Sequence, residues 1–379
     1  MLLSVCLGLF LADALVSLAD DSLGLFFGFH GLAGIRIVVG LLAGAIALVV
    51  YISMAFTPKI PKGLFVPLCL FNLLTLLAAI PFTIFFYERS QLIEWSISVA
   101  QVILGAWVLY RIGNGFKFGW PLVPPARLND GCFGWRNFSL FLLVNLCGVL
   151  PVVVVYLFFC AALAVGHFTG GFMALHPGGF TVQVRTYVRN DGKTIQLYPM
   201  AHVAEADFYR EISQSFPTNS IILMEGVTDS QNLLTNKISY QRMAKSLGLA
   251  EQHAGFKPSR GSVVPADVDV DQFSKNTIVL LNEVILIHSQ GINAKNVQAL
   301  LQFQPSPQME EELMDDLLRN RNRHLLGEIQ AHLPVSDTII VPWGVAHMPG
   351  ISAEIQKSGF RLTQSRNYEV IRFHFFGVK

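Results

Sequence analysis

Asp337-Thr-Ile-Ile-Val-Pro-Trp-Gly344-Val-Ala-His347-Met-Pro-Gly350 decides the fold of the second half of this chain. An apolar strand runs into a Gly-x-x-His turn, and a second glycine stands three residues past the histidine. A strand interior favours Val and Ile, and a helix start favours Ser, Thr, Asp or Asn. A histidine at the strand-to-helix switch serves neither. It points out of the carboxyl edge of a sheet, where open α/β folds hold their ligands. A second site of this kind lies 145 positions earlier, in Thr194-Ile-Gln-Leu-Tyr-Pro-Met-Ala-His202, again a strand followed by an expected helix. Two histidines from two strand ends can converge on one point.

Working outward, strands alternate with helices. Residues 181–188 and 194–198 flank Asn190-Asp-Gly192, a hairpin turn. Residues 204–216 have helical spacing, and 220–224 form a short apolar strand ending in Glu225-Gly226. Residues 232–249 read as an amphipathic helix. Residues 261–270 read as extended, with Asp267, Asp269 and Asp271 on alternate positions. Helices are expected over 272–288, 294–303, 308–333 and 349–358, and strands over 337–341 and 368–376. The helix over 308–333 carries acids at its start and bases later, which suits the helix dipole. This alternation specifies an α/β (α+β) domain with a mixed sheet over residues 171–379.

Residues 1–170 are a different material. They carry 8 of the 27 basic and 6 of the 26 acidic side chains, and residues 171–379 carry the other 19 and 20. No Asp, Glu, Lys or Arg occurs over 37–58, 63–87, 95–110 or 137–184. A helix needs about 20 apolar residues to cross the hydrocarbon, so spans are expected at 37–58, 63–87, 92–110 and 138–168. Residues 2–19 lack a basic n-region and carry Asp13, so they read as a fifth span rather than a cleaved signal. The expected architecture is an N-terminal membrane bundle of about five helices, whose partner is the lipid bilayer. With a formal net charge of +1, neither half is basic enough for nucleic acid.

Lys59 and Lys62 fall between spans two and three, and Arg111, Lys117, Arg127 and Arg136 between spans four and five. The positive-inside rule puts both loops in the cytoplasm, so the second half faces the periplasm or the outside of a plasma (inner) membrane. Arg36, near the outer end of span two, runs against the rule. Asp13, Glu94 and Asn145 sit in or beside spans, where ionisable groups can mark a pathway; Asp13 and Glu94 fall near expected span ends. The five cysteines, Cys6, Cys69, Cys132, Cys147 and Cys160, all precede residue 171. A metal in the second half must therefore use histidine and carboxylate ligands.

His202 and His347 head the candidates for chemistry, since neutral imidazole is a common metal ligand. A lone strand-end histidine is more often structural, and a matching pair shifts the balance towards a ligand. Glu225 ends an apolar strand, where a buried carboxylate requires a metal, a histidine or an arginine beside it. Along 315–324, helical spacing places Arg319, Asn322 and Arg323 on one side. A guanidinium there can bind a carboxylate or an oxyanion; a solvated helix face is the plainer reading. The alternating aspartates read as a solvated strand edge or an arginine or metal contact. There is no P-loop, His-Glu-x-x-His helix, Gly-x-Ser-x-Gly elbow or Gly-x-Gly-x-x-Gly turn.

The order strand–x-x-x-His202, strand–Glu225, Arg321-Asn322, strand–Gly344-Val-Ala-His347-Met-Pro-Gly350 resembles the TraB/TIKI group of the erythromycin esterase/ChaN-like superfamily. The resemblance spans residues 194–362. Pro199 stands where the family has a glycine, and Asn320 where it has an acid. The resemblance implies an erythromycin esterase/ChaN-like fold. It also implies a membrane-anchored, divalent-metal-dependent hydrolase, a peptidase of the metalloprotease kind, acting on a peptide or protein. His202, His347 and Glu225 would hold Mn, Co or Zn, with Glu225 alternatively a general base, and Arg321 and Asn322 would serve catalysis. The same family includes haem-binding and pheromone-shutdown proteins. A non-catalytic peptide or haem binder, a sensor, or a pseudoenzyme is therefore the alternative, and a transporter or signalling bundle with an appended sensor is the third.

Overall fold

A computed structural model describes residues 1–29, 31–115, 119–129, 131, 133–234, 240–290 and 307–374. The expected helix over 294–303, together with Lys117 and Cys132, lies outside them. The chain divides into two compact units, Met1–Ala164 and Val165–Lys379.

The first unit is helical: α1 (Leu2–Phe27), α2 (Ala33–Phe56), α3 (Lys62–Phe85), α4 (Ser90–Gly113), α5 (Trp135–Val144) and α6 (Leu150–Phe168). A π turn over Asn145–Val149 joins the last two. Among the described residues, four helical runs are long and apolar enough to cross a membrane: α1, α2, α4 and Trp135–Phe168. The pair Lys62–Thr75 and Leu77–Phe85, bent by 43°, makes a fifth if counted as one span. Leu7, Phe10, Met54, Phe65, Leu68 and Ile112 fill the core between helices.

Two expectations are corrected here. The first helix runs to Phe27, not to residue 19, so Asp13 lies near its middle rather than at an end. There Asp13 accepts a hydrogen bond from Gln101 Nε2 at 2.7 Å. Asp20 and Asp21, just past the expected span end at residue 19, are helical and buried. Arg36 explains why: it pairs with Asp21 and comes within 3.8 Å of both Asp20 and Glu94. Ser98 Oγ donates to Asp21 at 2.6 Å, and the Leu32 amide donates to Asp20 at 3.0 Å. The cation that offends the positive-inside pattern is thus held by acids on neighbouring helices.

The second unit is built on a seven-stranded mixed sheet. Its strands are β1 (Met173–His176), β2 (Gly179–Val188), β3 (Thr194–Met200), β5 (Ser220–Met224), β7 (Ser262–Pro265), β8 (Thr338–Gly344) and β9 (Arg361–Arg372). The order is β1-β2-β3-β8-β5-β7, with β9 also on β2. Strands β3, β8, β5 and β7 are parallel, and β1 and β9 run antiparallel to β2. β1 falls in what the sequence presents as a glycine-rich loop. Its turn depends on Gly179 (φ +140°), where a Cβ would sit 1.9 Å from the Ile371 carbonyl oxygen. A separate two-stranded sheet pairs β4 (Val203–Ala204) with β6 (Ala250–Glu251).

Alternation along each strand sorts the two faces. Ile195, Leu197, Leu223, Ile339, Val341 and Trp343 pack on one side with Leu325, Ile329, Ile351 and Ile355, from the helices Arg321–His332 and Met348–Lys357. Tyr198, Met200, Ile222 and Ile340 pack on the other with Phe208, Tyr209 and Ile212 from the helix Ala206–Ser215. Pro199 lies inside β3 opposite Trp343, so the strand continues through it and turns only after Met200. The expected helix over 232–249 is, among the described residues, helical only over Gln241–Leu247.

Candidate functional site

The parallel strands end in polar side chains. Glu225 follows β5, Asp267 follows Pro265 of β7, His347 follows β8 through a 3-10 turn (Val345–His347), and His202 follows β3. All lie at the carboxyl edge, where doubly wound sheets open towards ligands.

Arg321 joins most of them. Its Nε–H donates to Asp267 Oδ1 at 2.9 Å, and Nη2 donates to Asp267 Oδ2 at 2.6 Å, a bidentate clasp. Nη2 also donates to Glu225 Oε1 at 2.9 Å. Nη1 donates to His347 Nε2 at 3.2 Å and to the Leu317 carbonyl at 3.4 Å. The guanidinium lies 5.4 Å from the Trp343 ring centre. Asp267 is fully buried, and the side chains of Arg321 and Glu225 are each only 11% exposed. Asp267 Oδ2 also accepts from the Gly226 amide at 2.9 Å. Glu225 Oε2 accepts from the Gly344 amide, which ties the end of β5 to that of β8.

His347 is buried edge-on against Trp343, 5.1 Å between ring centres. Asn322 Oδ1 can only accept, so the 2.7 Å contact fixes the proton on His347 Nδ1. Nε2 then holds a lone pair facing Arg321 Nη1, with Glu225 Oε1 3.6 Å away. Burial lowers the pKa of His347 to about 4, against the pull of Glu225 and Asp267 and with help from the charges of Arg321 and His202. The imidazole is neutral at pH 7, in the tautomer the hydrogen bonds require.

One glycine of the motif is required by this packing. A Cβ on Gly350 would sit 2.8 Å from Asn322 Nδ2 and push the amide off His347. A Cβ on Gly344 would make only ordinary contact with Glu225 Oε2, at 3.4 Å.

His202 sits beside this cluster and is more exposed. Gln252 Oε1 accepts from its Nδ1 at 3.2 Å, and Tyr240 stacks on its ring, 4.8 Å between centres and 6° from parallel. Burial, and after it the charge of Glu225, pushes the Tyr240 phenol up from its usual pKa.

The structure thus brings together Glu225, Arg321, Asn322 and His347. The expected helix face of Arg319, Asn322 and Arg323 is corrected. Arg319 pairs at the surface with Asp315, and Arg323 donates to Asn320 at 3.0 Å, so Arg321 is the arginine that turns inward. For the aspartate ladder, the expected extended strand is corrected, while the arginine contact is found at Asp267. The strand stops at Pro265; Asp267 is buried on Arg321, while Asp269 accepts from Thr228 at 2.7 Å. Tyr240 and Gln252 carry no sequence signal: Gln252 opens a four-residue helix too short for periodicity, and nothing sets Tyr240 apart within the expected helix over 232–249. Among the described residues, no group of three His, Cys, Asp or Glu side chains is drawn together to hold a metal ion. Comparison with known protein families, characterised proteins and solved structures gives no match.

Proposed function

We propose that the second unit is a hydrolase domain of peptidase type, with an erythromycin esterase/ChaN-like fold, anchored to a membrane by the apolar helices. The observation that carries this reading is the neutral His347, its Nε2 lone pair held between Arg321 and Glu225 at the carboxyl edge of the sheet. A neutral imidazole is a donor a metal can take, and the carboxylate beside it can accept a proton from an attacking water and return it to a leaving amine.

The donor set fits a divalent ion in its chemistry. His202 and His347 both have Nδ1 engaged by an amide oxygen and Glu225 supplies a carboxylate, but Arg321 donates to both His347 Nε2 and Glu225, so a metal there would have to displace the guanidinium. A bound Mn, Co or Zn ion on these three residues would bring the pKa of its water to about 7 and polarise a scissile carbonyl. Arg321 holds Glu225 and His347 in place. His347→Ala and Glu225→Ala should each abolish hydrolysis of test peptides and lower the divalent-metal content of the purified chain. Unchanged metal content and unchanged hydrolysis in both variants would rule the reading out.

One observation favours the second reading, a non-catalytic binder or sensor for a peptide or haem. All five N–H donors of Arg321 are taken by Asp267, Glu225, His347 and Leu317, which leaves none for a substrate oxyanion. A Soret band on adding haemin, lost in His202→Ala, would support it.

We place the domain on the outer face, because the charge of the loops on either side of the spans supports that orientation. The domain has no cysteine of its own. Ser358→Cys, at an exposed site, should therefore react with a membrane-impermeant maleimide added outside intact cells. Labelling only after lysis would reverse the orientation.

A further inference from the structure

Gln252 is buried, 8% exposed, in a segment that no motif marks, and it faces His202. The small sheet puts it there. Val203 pairs with Glu251 and Ala204 with Ala250, so one step further the antiparallel register sets His202 against Gln252. The Gln252 amide N–H donates to the His202 carbonyl at 2.9 Å, and the Gln252 side chain meets the His202 ring at 3.2 Å. Glu251 braces the other side: its Oε1 accepts from the Tyr240 amide at 2.8 Å, and Tyr240 lies flat on the imidazole. The ring is therefore held at one nitrogen and on one face.

We infer that Gln252 is a positioning residue that fixes His202 as its Nδ1–H tautomer, as Asn322 fixes His347. An amide oxygen accepts and never donates, so the neutral ring must carry its proton on Nδ1. Nε2 is then left with the lone pair, which is the nitrogen a ligand or a proton takes up. Two strands of unrelated sequence end in histidines prepared in one tautomer by two different amides. A histidine in water favours the opposite tautomer, so each amide works against the intrinsic preference. This inference rests on the reading of His202 as part of the site, and its test separates the two.

The test is nitrogen-15 spectroscopy of the full chain in lipid bilayers with labelled histidine, the two signals assigned by their loss in His202→Ala and His347→Ala. Wild type should show His202 and His347 both protonated on Nδ1. Gln252→Met keeps the volume and removes the acceptor, so it should move His202 to the Nε2–H form. His347 should keep its tautomer in that variant, which reports that the fold is intact. Gln252→Glu restores an acceptor and should return the Nδ1–H form. Divalent-metal affinity should fall roughly 10- to 100-fold in Gln252→Met and recover in Gln252→Glu. Persistence of Nδ1–H on His202 in Gln252→Met, with His347 unchanged, overturns the inference. A normal tautomer switch without peptide hydrolysis or metal uptake in wild type overturns the hydrolase reading alone.

Discussion

Two arginines each hold buried acids, and they do so in different ways. Arg321 spends every N–H on a fixed partner and clasps Asp267 through two nitrogens. Arg36 uses Nη1 towards Asp21, with Asp20 and Glu94 at 3.8 Å, and its side chain stays 30% exposed. The first arrangement fixes positions; the second balances charge. Among the described residues, only the first has a neutral base in contact with it, His347. A bidentate clasp holds the guanidinium plane, and that plane sets where Glu225 and His347 can stand. A loosely paired arginine imposes no such geometry on its acids. The difference separates a centre built to orient groups from one that keeps acids tolerable inside apolar helices.

Removing the acid at each centre breaks the comparison most sharply. Asp267→Ala leaves Arg321 buried with two of its five bonds gone, and breaking a buried pair from one side costs about 3–5 kcal/mol. Thermal unfolding should show that loss, together with release of Glu225 and His347 from their positions. A cost below about 1 kcal/mol would mean that Arg321 reaches water on its own and that the clasp orients nothing.

The pH dependence of stability follows from His347. Its pKa is about 4 in the folded protein and 6.5 ordinarily. Between those values the unfolded chain binds more protons, so stability rises with pH across the window and falls as pH drops from 6.5 to 4. The full difference is worth roughly 3 kcal/mol. Chemical unfolding at pH 4.5 and 7 should show most of it in wild type, and His347→Gln should flatten the slope over that interval. An unaltered slope in the variant would assign the effect elsewhere.

Which parts of this were readable beforehand depends on what marks a residue. Glu225 and His347 stand out because a polar side chain directly after an apolar strand has no local reason to be there. Arg321 was seen only through the resemblance, since helical spacing by itself favoured Arg319 and Arg323. Asp267 hid among alternating acids that imitate a strand edge, and only Pro265 ending β7 releases it to turn inward. α1 runs past residue 19 for a tertiary reason: two consecutive acids end the apolar run of the sequence, and Arg36, on the next helix, supplies the partner that keeps them helical and buried. The strands β1, β4 and β6 are two to four residues long, too short for any period to show.

Trp343 tests how far the ordered centre reaches into the core. It is fully buried, its Nε1–H donates to the Leu223 carbonyl at 3.0 Å, and its ring supports both His347 and Arg321. Trp343→Phe keeps an aromatic ring and leaves the Leu223 carbonyl without this donor. The expected loss is about 1–3 kcal/mol in thermal unfolding. Hydrolysis should fall by more than stability alone explains, because the ring that His347 leans on has shrunk. Equal activity per folded molecule would confine Trp343 to packing.

The smallest effect belongs to the looser centre. Asp21→Asn keeps the acceptor for Ser98 and removes one charge from a group of three acids facing one arginine. Arg36 retains Asp20 and Glu94, so no cation is left without an acid beside it. The change should be within about 1 kcal/mol in detergent-solubilised protein, the range of partly exposed pairs. The conservative variant at the other centre, Asp267→Asn, cannot accept two charged N–H bonds as a carboxylate does and should cost clearly more. Parity between the two asparagine variants would mean that two-nitrogen geometry adds nothing to charge, and would remove the distinction on which the orienting role of Arg321 rests.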